Sequence, residues 1–234
     1  MSTTAELLPY TQASTTIDST HPEICALAQS LTSPGARDIE NAISLYYWCR
    51  DEVRYNPYAA SAELDDYLAS KTLAAREGWC VTKAILLAAL CRAVAIPARL
   101  GFADVRNHLS TADLRAAMTT DIFYFHGYTA IYLEGQWVKA TPAFNLSLCE
   151  RFGLQPLEFN GREDSIFHAF DETGNRHMEY LKDRGQSLDL PFTELMDTFS
   201  KHYPGMLEKM AAKTTAQKSL DHWEQEVEQE NARA

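Results

Sequence analysis

Five cysteines and seven histidines are the residues of this chain best suited to nucleophilic or metal chemistry. Among the cysteines, Cys80 has the context that favours reactivity, because a Gly78-Trp79 loop meets an apolar run there. If that run is a helix, its start carries roughly half a positive charge and unpaired N–H groups. Both stabilise a thiolate, and the same N–H groups can hold the oxyanion of a tetrahedral intermediate. A cysteine in an apolar segment is more often a small buried hydrophobe. Cys49 and Cys91 read that way, and Cys25 and Cys149 lack supporting context. A thiolate at Cys80 implies the fastest alkylation of the five.

His126 is the expected base. It lies in an expected strand between Phe125 and Gly127, and Gly127 is expected to leave room for a substrate. The order carries the pairing: a Cys at a helix start, a strand, the His strand, then a hairpin return. The other histidines (His21, His108, His168, His177, His202, His222) show no metal-ligand spacing, and His-Glu-x-x-His is absent. There is no Gly-rich phosphate loop and no Gly-x-Ser-x-Gly elbow. Neither a metal nor a cofactor is expected.

The elements that must position these residues follow from periodicity. Ser33-Pro34 reads as a helix start, and Ile39, Ala42, Ile43, Tyr46, Tyr47 and Val53 recur at helical spacing over roughly 36–54. Leu64, Tyr67 and Leu68 suggest a shorter helix. Cys80 to Ala95 is apolar on nearly every side, as in a buried helix, and Pro97 closes it. Ala98 to Val105 reads as a strand, Ser110 to Asp113 as a capping box opening a helix through Met118. Phe123 to Leu133 and Gln136 to Thr141 read as a hairpin around Glu134-Gly135, with Tyr132 opposite Trp137 and Tyr128 opposite Thr141. That register brings the His126 and Thr141 side chains close. Asn145 is a candidate cap for a short helix ending at Gly153; Ser165 to Phe170 is a possible strand. Thr193 to His202 and Gly205 to Ala232 look helical, the last with a Leu220, Trp223, Val227 stripe.

Composition narrows the function classes. The chain has 234 residues, 46% of them apolar and 23% charged, with a net charge of -11. That balance fits a folded globular protein and argues against nucleic acid as a partner. The longest apolar stretch, Ala84 to Cys91, is too short to span a bilayer, and no secretory signal is visible. An odd number of widely spaced cysteines fits a reducing cytoplasm.

Gly78-Trp79-Cys80, the run to Ala95 and the Ile96-Pro97-Ala98-Arg99 turn resemble the core motif of the transglutaminase-like superfamily, with Ala95 in place of the usual Gly. The segment Trp48-Cys49-Arg50-Asp51-Glu52-Val53-Arg54-Tyr55 is similar to the preceding family helix. Phe125-His126-Gly127-Tyr128 and Gly135-Gln136-Trp137-Val138 resemble its His strand and return strand. The resemblance covers about residues 36–145. It implies an α+β, papain-like transglutaminase core, with helices packed on an antiparallel sheet and a C-terminal helical extension. The expected division is an arm with a short helix over 1–35, a core over 36–190 and a helical segment over 191–234. It also implies acyl transfer through a Cys80 thioester, with His126 moving the proton. The family usually has Asp where this chain has Thr141 before Pro142. A Thr hydroxyl brings no charge, so Thr141, Asn145, Asp164 and Asp171 all remain candidates for the third residue.

Hydrolysis of a peptide-like amide is favoured over amine transfer. The competing expectation is an inactive module that binds peptide or protein in the old cleft, with Trp79 and Tyr128 as walls. The C-terminal helix is expected to pack on its own domain, or to pair in a homodimer.

Overall fold

The computed structural model describes residues 4–107, 111–166, 178–205 and 220–231. After a short helical turn, α1 (Thr4–Leu7), the chain forms α2 (Pro22–Leu31) and α3 (Asp38–Glu52). Ser33-Pro34 does not start α3. Gly35 there takes φ +89°, which a helix cannot continue. The helix begins after Arg37, whose N–H and guanidinium both donate to Glu40. The apolar side of α3 buries Ile39, Ala42, Leu45, Tyr46 and Cys49.

Beyond α3 come the two-residue strand β1 (Arg54–Tyr55), the helix α4 (Ala69–Ala75) and strand β2 (Glu77–Gly78), which pairs with β1 in parallel. Helix α5 (Cys80–Ala93) follows at once, and every residue from Cys80 to Arg92 is buried. It is the axis of the fold, with α2, α3 and α4 packed around it and the main sheet beside it. Two buried cations on α5 are satisfied by main-chain carbonyls, as burial demands. Lys83 Nζ donates to the carbonyls of Arg50 (2.9 Å) and Val53 near the end of α3. Arg92 donates to Ala98 (2.9 Å), Gln12 (2.9 Å) and Leu188 (2.6 Å), tying distant segments to one helix.

The end of α5 shows what the missing family Gly costs. Ala95 takes φ +61°, and the Ile96 N–H closes back on the Cys91 carbonyl at 3.0 Å. A left-handed alanine is strained by about 1–2 kcal/mol. Its side chain is exposed, so no packing is lost with the methyl group. Ala95→Gly is therefore expected to stabilise the fold by about 1 kcal/mol, after the entropy a glycine adds to the unfolded chain. Urea unfolding midpoints of the two proteins check this, and an unchanged midpoint would contradict it.

The main sheet is antiparallel, in the order β5-β4-β3-β6. Its strands are β3 (Ala98–Asn107), β4 (Ile122–Leu133), β5 (Gln136–Ala140) and β6 (Met178–Ser187). Helix α6 (Ala112–Met118) connects β3 to β4, capped by Thr111, whose hydroxyl accepts from Leu114 N–H at 3.2 Å. In the β4–β5 hairpin, Tyr132 lies opposite Trp137, as expected. Glu134 and Gly135 both take positive φ, the primed turn that strand twist favours. The ladder ends at Thr129 opposite Ala140, one pair short of Tyr128 and Thr141. Helix α7 (Leu146–Phe152) starts after Asn145 and stops at a left-handed Gly153, as its sequence suggests.

Strand β6 is not anticipated by periodicity. Of the expected strand from Ser165 to Phe170, Ser165 forms an isolated bridge to Ala140, and 167–170 lie outside the described residues. Two further helices follow among the described residues, α8 (Phe192–His202) and α9 (Leu220–Asn231); of the expected helix over Gly205 to Ala232, 206–219 and 232 lie outside the described residues. Trp223 and Val227 of α9 are buried against their own chain, Trp223 beside Tyr55, Tyr58 and Phe152. The buried Glu226 carboxylate accepts from Tyr58 (2.9 Å) and Thr111 (3.0 Å). This part of the stripe invoked for a homodimer is thus covered intramolecularly. Ile17, Ile24 and Ala28 share the central core with α3 and α5. Among the described residues, no helix is long and apolar enough to cross a membrane.

Candidate active site

Cys80 is the first residue of α5 because the two residues before it cannot extend the helix. Trp79 is extended, and its N–H caps back onto Thr82 Oγ1 at 3.1 Å. Gly78 is required for this turn: a Cβ there would sit 2.5 Å from the same hydroxyl oxygen. Strand β4 approaches the start of the helix at Gly127. A Cβ on that glycine would lie 2.9 Å from the Val81 Cα and 3.3 Å from the Cys80 carbonyl oxygen. The space beside Gly127 is therefore filled by the helix and does not await a substrate.

The nearby main chain at Gly127, Val81 and Cys80 itself favours the charged form of the Cys80 sulfur. Burial outweighs this. The residue is 2% exposed, and the thiol is pushed up to about 12. The helix terminus does not produce the thiolate that sequence reasoning expects, because too little water remains to solvate it. Tyr55, Tyr67 and Tyr203 crowd the same place. Burial raises each phenol, and the charge that Cys80 would carry raises each further. The Trp79 ring adds to the cover, packing edge-on to Tyr67 (6.2 Å) and tilted on Phe199 of α8 (5.8 Å).

His126 lies one residue from that contact, opposite Ala103 on β3. It too is buried, and desolvation lowers it to about 4, so it is neutral at pH 7. Among the described residues, its Nε2 has no hydrogen-bond partner, and no hydrogen bond joins it to Cys80. The expected third residues are engaged elsewhere. The Thr141 hydroxyl donates to the Ile166 carbonyl at 2.9 Å. Asn145 accepts from Tyr55 N–H (3.0 Å) and donates to Ser147 (2.7 Å). Asp164 accepts from Lys139 N–H at 2.8 Å, and Asp171 lies outside the described residues.

Tyr128 sits away from the sulfur. Its ring fills the gap over Gly101, where a Cβ would come within 2.1 Å of it, and its hydroxyl accepts from Gln186 at 3.3 Å. Tyr203, Phe199 and Tyr55 escaped sequence reasoning because nothing local marks them. The one available signal in this region was Asp104, a charge inside the otherwise apolar Leu100-Gly101-Phe102-Ala103 strand. Among the described residues, no cluster of His, Cys, Asp and Glu could hold a metal ion.

No curated protein sequence matches the chain. Two solved structures resemble it. One is a candidate cysteine protease from Cytophaga hutchinsonii, with 18% identity, TM-score 0.46, and coverage of 79% of this chain and 55% of that one. The other is a candidate protease from Parabacteroides distasonis, with 17% identity, TM-score 0.37, and coverage of 50% and 22%. The chain thus spans about half or less of either structure. The profile of the Transglutaminase-like superfamily matches residues 25–142, half of the chain and the part that runs from α2 through α5 to the end of the hairpin. The chain therefore belongs to the transglutaminase-like superfamily.

Proposed function

We propose that this protein is a cysteine-dependent acyl-transfer enzyme that hydrolyses a peptide-like amide through a thioester, and that it rests in a closed form. The observation that carries this reading is the placement of the Cys80 thiol in the first turn of α5, against Gly127 of β4, the residue after a histidine whose Nε2 has no hydrogen-bond partner among the described residues. A helix start leaves main-chain N–H groups unpaired, and such groups can hold an oxyanion.

In the reaction, the Cys80 S–H proton passes to His126 as the sulfur bonds to the substrate carbonyl carbon. His126 then gives that proton to the departing nitrogen as the C–N bond breaks. Water attacks the thioester, the C–S bond breaks, and a proton returns to the sulfur. No cofactor takes part.

The resting form cannot run this chemistry efficiently. Burial raises the Cys80 thiol and lowers the His126 imidazole, so it opposes the thiolate–imidazolium pair that this proton transfer creates. Opening would admit water to that pair, and Phe199 and Tyr203 at the end of α8 are the cover to be moved. A second reading, an inactive module that binds peptide, is favoured by one observation: the Thr141 hydroxyl in the family's acid position is spent on a carbonyl.

Intact-mass analysis after incubation with a p-nitrophenyl ester or a peptide amide separates the two readings. Turnover with an acyl adduct on Cys80, lost in Cys80→Ala and reduced at least tenfold in His126→Ala, supports the enzyme. Peptide binding without turnover, equal in wild type and Cys80→Ala, supports the module. Added hydroxylamine distinguishes hydrolysis from transfer, since hydroxamate in excess of free acid favours transfer.

A further inference from the structure

Strand β4 is irregular just before His126. Ala103 pairs with His126 and Val105 with Phe123, so Tyr124 and Phe125 together oppose Asp104 alone. The extra residue is accommodated by Phe125 at φ +60°, an aromatic residue in the left-handed region. Such a conformation costs about 1–3 kcal/mol and persists only where neighbours impose it. A bulge re-aims the side chains that follow it, because a slip of one residue exchanges the two faces of a strand.

The neighbours that impose it come from three elements. The Phe125 N–H donates to Asp104 Oδ1 at 3.2 Å. Asp104 is buried and takes Arg184 Nε at 2.5 Å, and the same guanidinium stacks over the Phe125 ring at 4.5 Å. Arg184 is itself an extra residue, since Phe102 pairs with Gly185 and Ala103 with Asp183. The Tyr203 hydroxyl accepts from Tyr124 N–H at 2.8 Å and donates to the Ile122 carbonyl at 2.6 Å. The main-chain groups that the bulge takes out of the ladder thus find side-chain partners, as buried backbone requires.

We infer that Asp104, anchored by Arg184, is a positioning residue that holds the Phe125 bulge and thereby sets the orientation of His126. The inference rests on the proposed role of His126 but is tested apart from it. Asp104→Ser withdraws the carboxylate oxygen that accepts from the Phe125 N–H, whereas Asp104→Asn keeps an oxygen at the same place. Urea midpoints establish that both variants fold. In NMR titrations of the histidine rings, Asp104→Ser is expected to shift the His126 signals and move its midpoint by at least one pH unit. Asp104→Asn should stay within about half a unit of wild type. An unchanged His126 titration in Asp104→Ser overturns the inference, whatever the activity.

The second arm measures acylation of Cys80 by p-nitrophenyl acetate. Asp104→Ser is expected to slow it about tenfold, but to have no further effect once His126 is Ala. A full additional loss in the double variant means that Asp104 acts elsewhere and overturns the inference. If His126→Ala alone leaves acylation unchanged, the proposed function fails, and the titration still decides the positioning role.

Discussion

Iodoacetamide at pH 7.5 is expected to modify Cys25 well before Cys80, the reverse of what the helix-start position of Cys80 suggests. Cys25 is the partly exposed thiol; Cys49, Cys80, Cys91 and Cys149 are buried, and burial raises all four. For Cys80 at about 12, the thiolate fraction is about three orders of magnitude below that of a free thiol near 8.5. Restricted access slows the reaction further. Peptide mapping after timed quenching gives the order directly.

The same experiment locates the cover. Phe199 packs on both Trp79 and Tyr203. Phe199→Ala should therefore loosen the cap and speed Cys80 labelling at least tenfold, while labelling of Cys91, deep in α5, stays slow. Cys80 reacting as fast as Cys25 in the unaltered protein would show that the thiol is not sealed. An unaltered Cys80 rate in Phe199→Ala would place the gate elsewhere.

The second large effect is a loss of stability in acid that arises at His126. Burial holds its folded value at about 4, below the ordinary imidazole value of about 6.5. Between those limits the unfolded chain binds the proton and the folded chain does not, so stability rises with pH across this window. The contribution is complete above about 6.5 and is lost as the pH falls to 4. At 1.36 kcal/mol per unit, the total is about 3 kcal/mol. Carboxylates also titrate in this range, so the comparison must be differential. Urea midpoints of wild type and His126→Gln at pH 7 and pH 4 should diverge, with the variant losing about 3 kcal/mol less on acidification. Parallel losses would mean that His126 is solvated or charged in the folded protein.

Much of the positioning framework was legible in the sequence because it is carried by short-range patterns. The all-apolar run from Cys80, closed by Pro97, predicts α5 and its burial. The Glu134-Gly135 pair between two aromatic-rich segments predicts the hairpin and the Tyr132–Trp137 register. Asn145 and Gly153 bracket α7. Each of these signals lies within one or two turns of the residue it controls. The Ser33-Pro34 cap failed because a glycine two residues on left the helical region and a better cap lay at Arg37. Strand β6 was missed because Met178-Glu-Tyr-Leu-Lys-Asp-Arg-Gly-Gln-Ser187 is mostly polar. It lies at the edge of the sheet, where charges are tolerated and no apolar alternation is demanded.

The family was likewise legible, through motifs around Cys80, Pro97 and His126 that resemble its core, but the ionisation of the two residues proposed for chemistry was not. A helix start favours a thiolate, and Cys80 meets that local condition. The outcome was decided by Tyr203 and Phe199, more than a hundred residues away, and by Tyr55 and Tyr67, which exclude water from the sulfur. The Phe125 bulge likewise depends on Asp104, Arg184 and Tyr203, brought together from three parts of the chain. Sequence alone determined which groups stand next to each other along a helix or hairpin. Desolvation and strand register depend on what packs from elsewhere, and only the tertiary structure decided them.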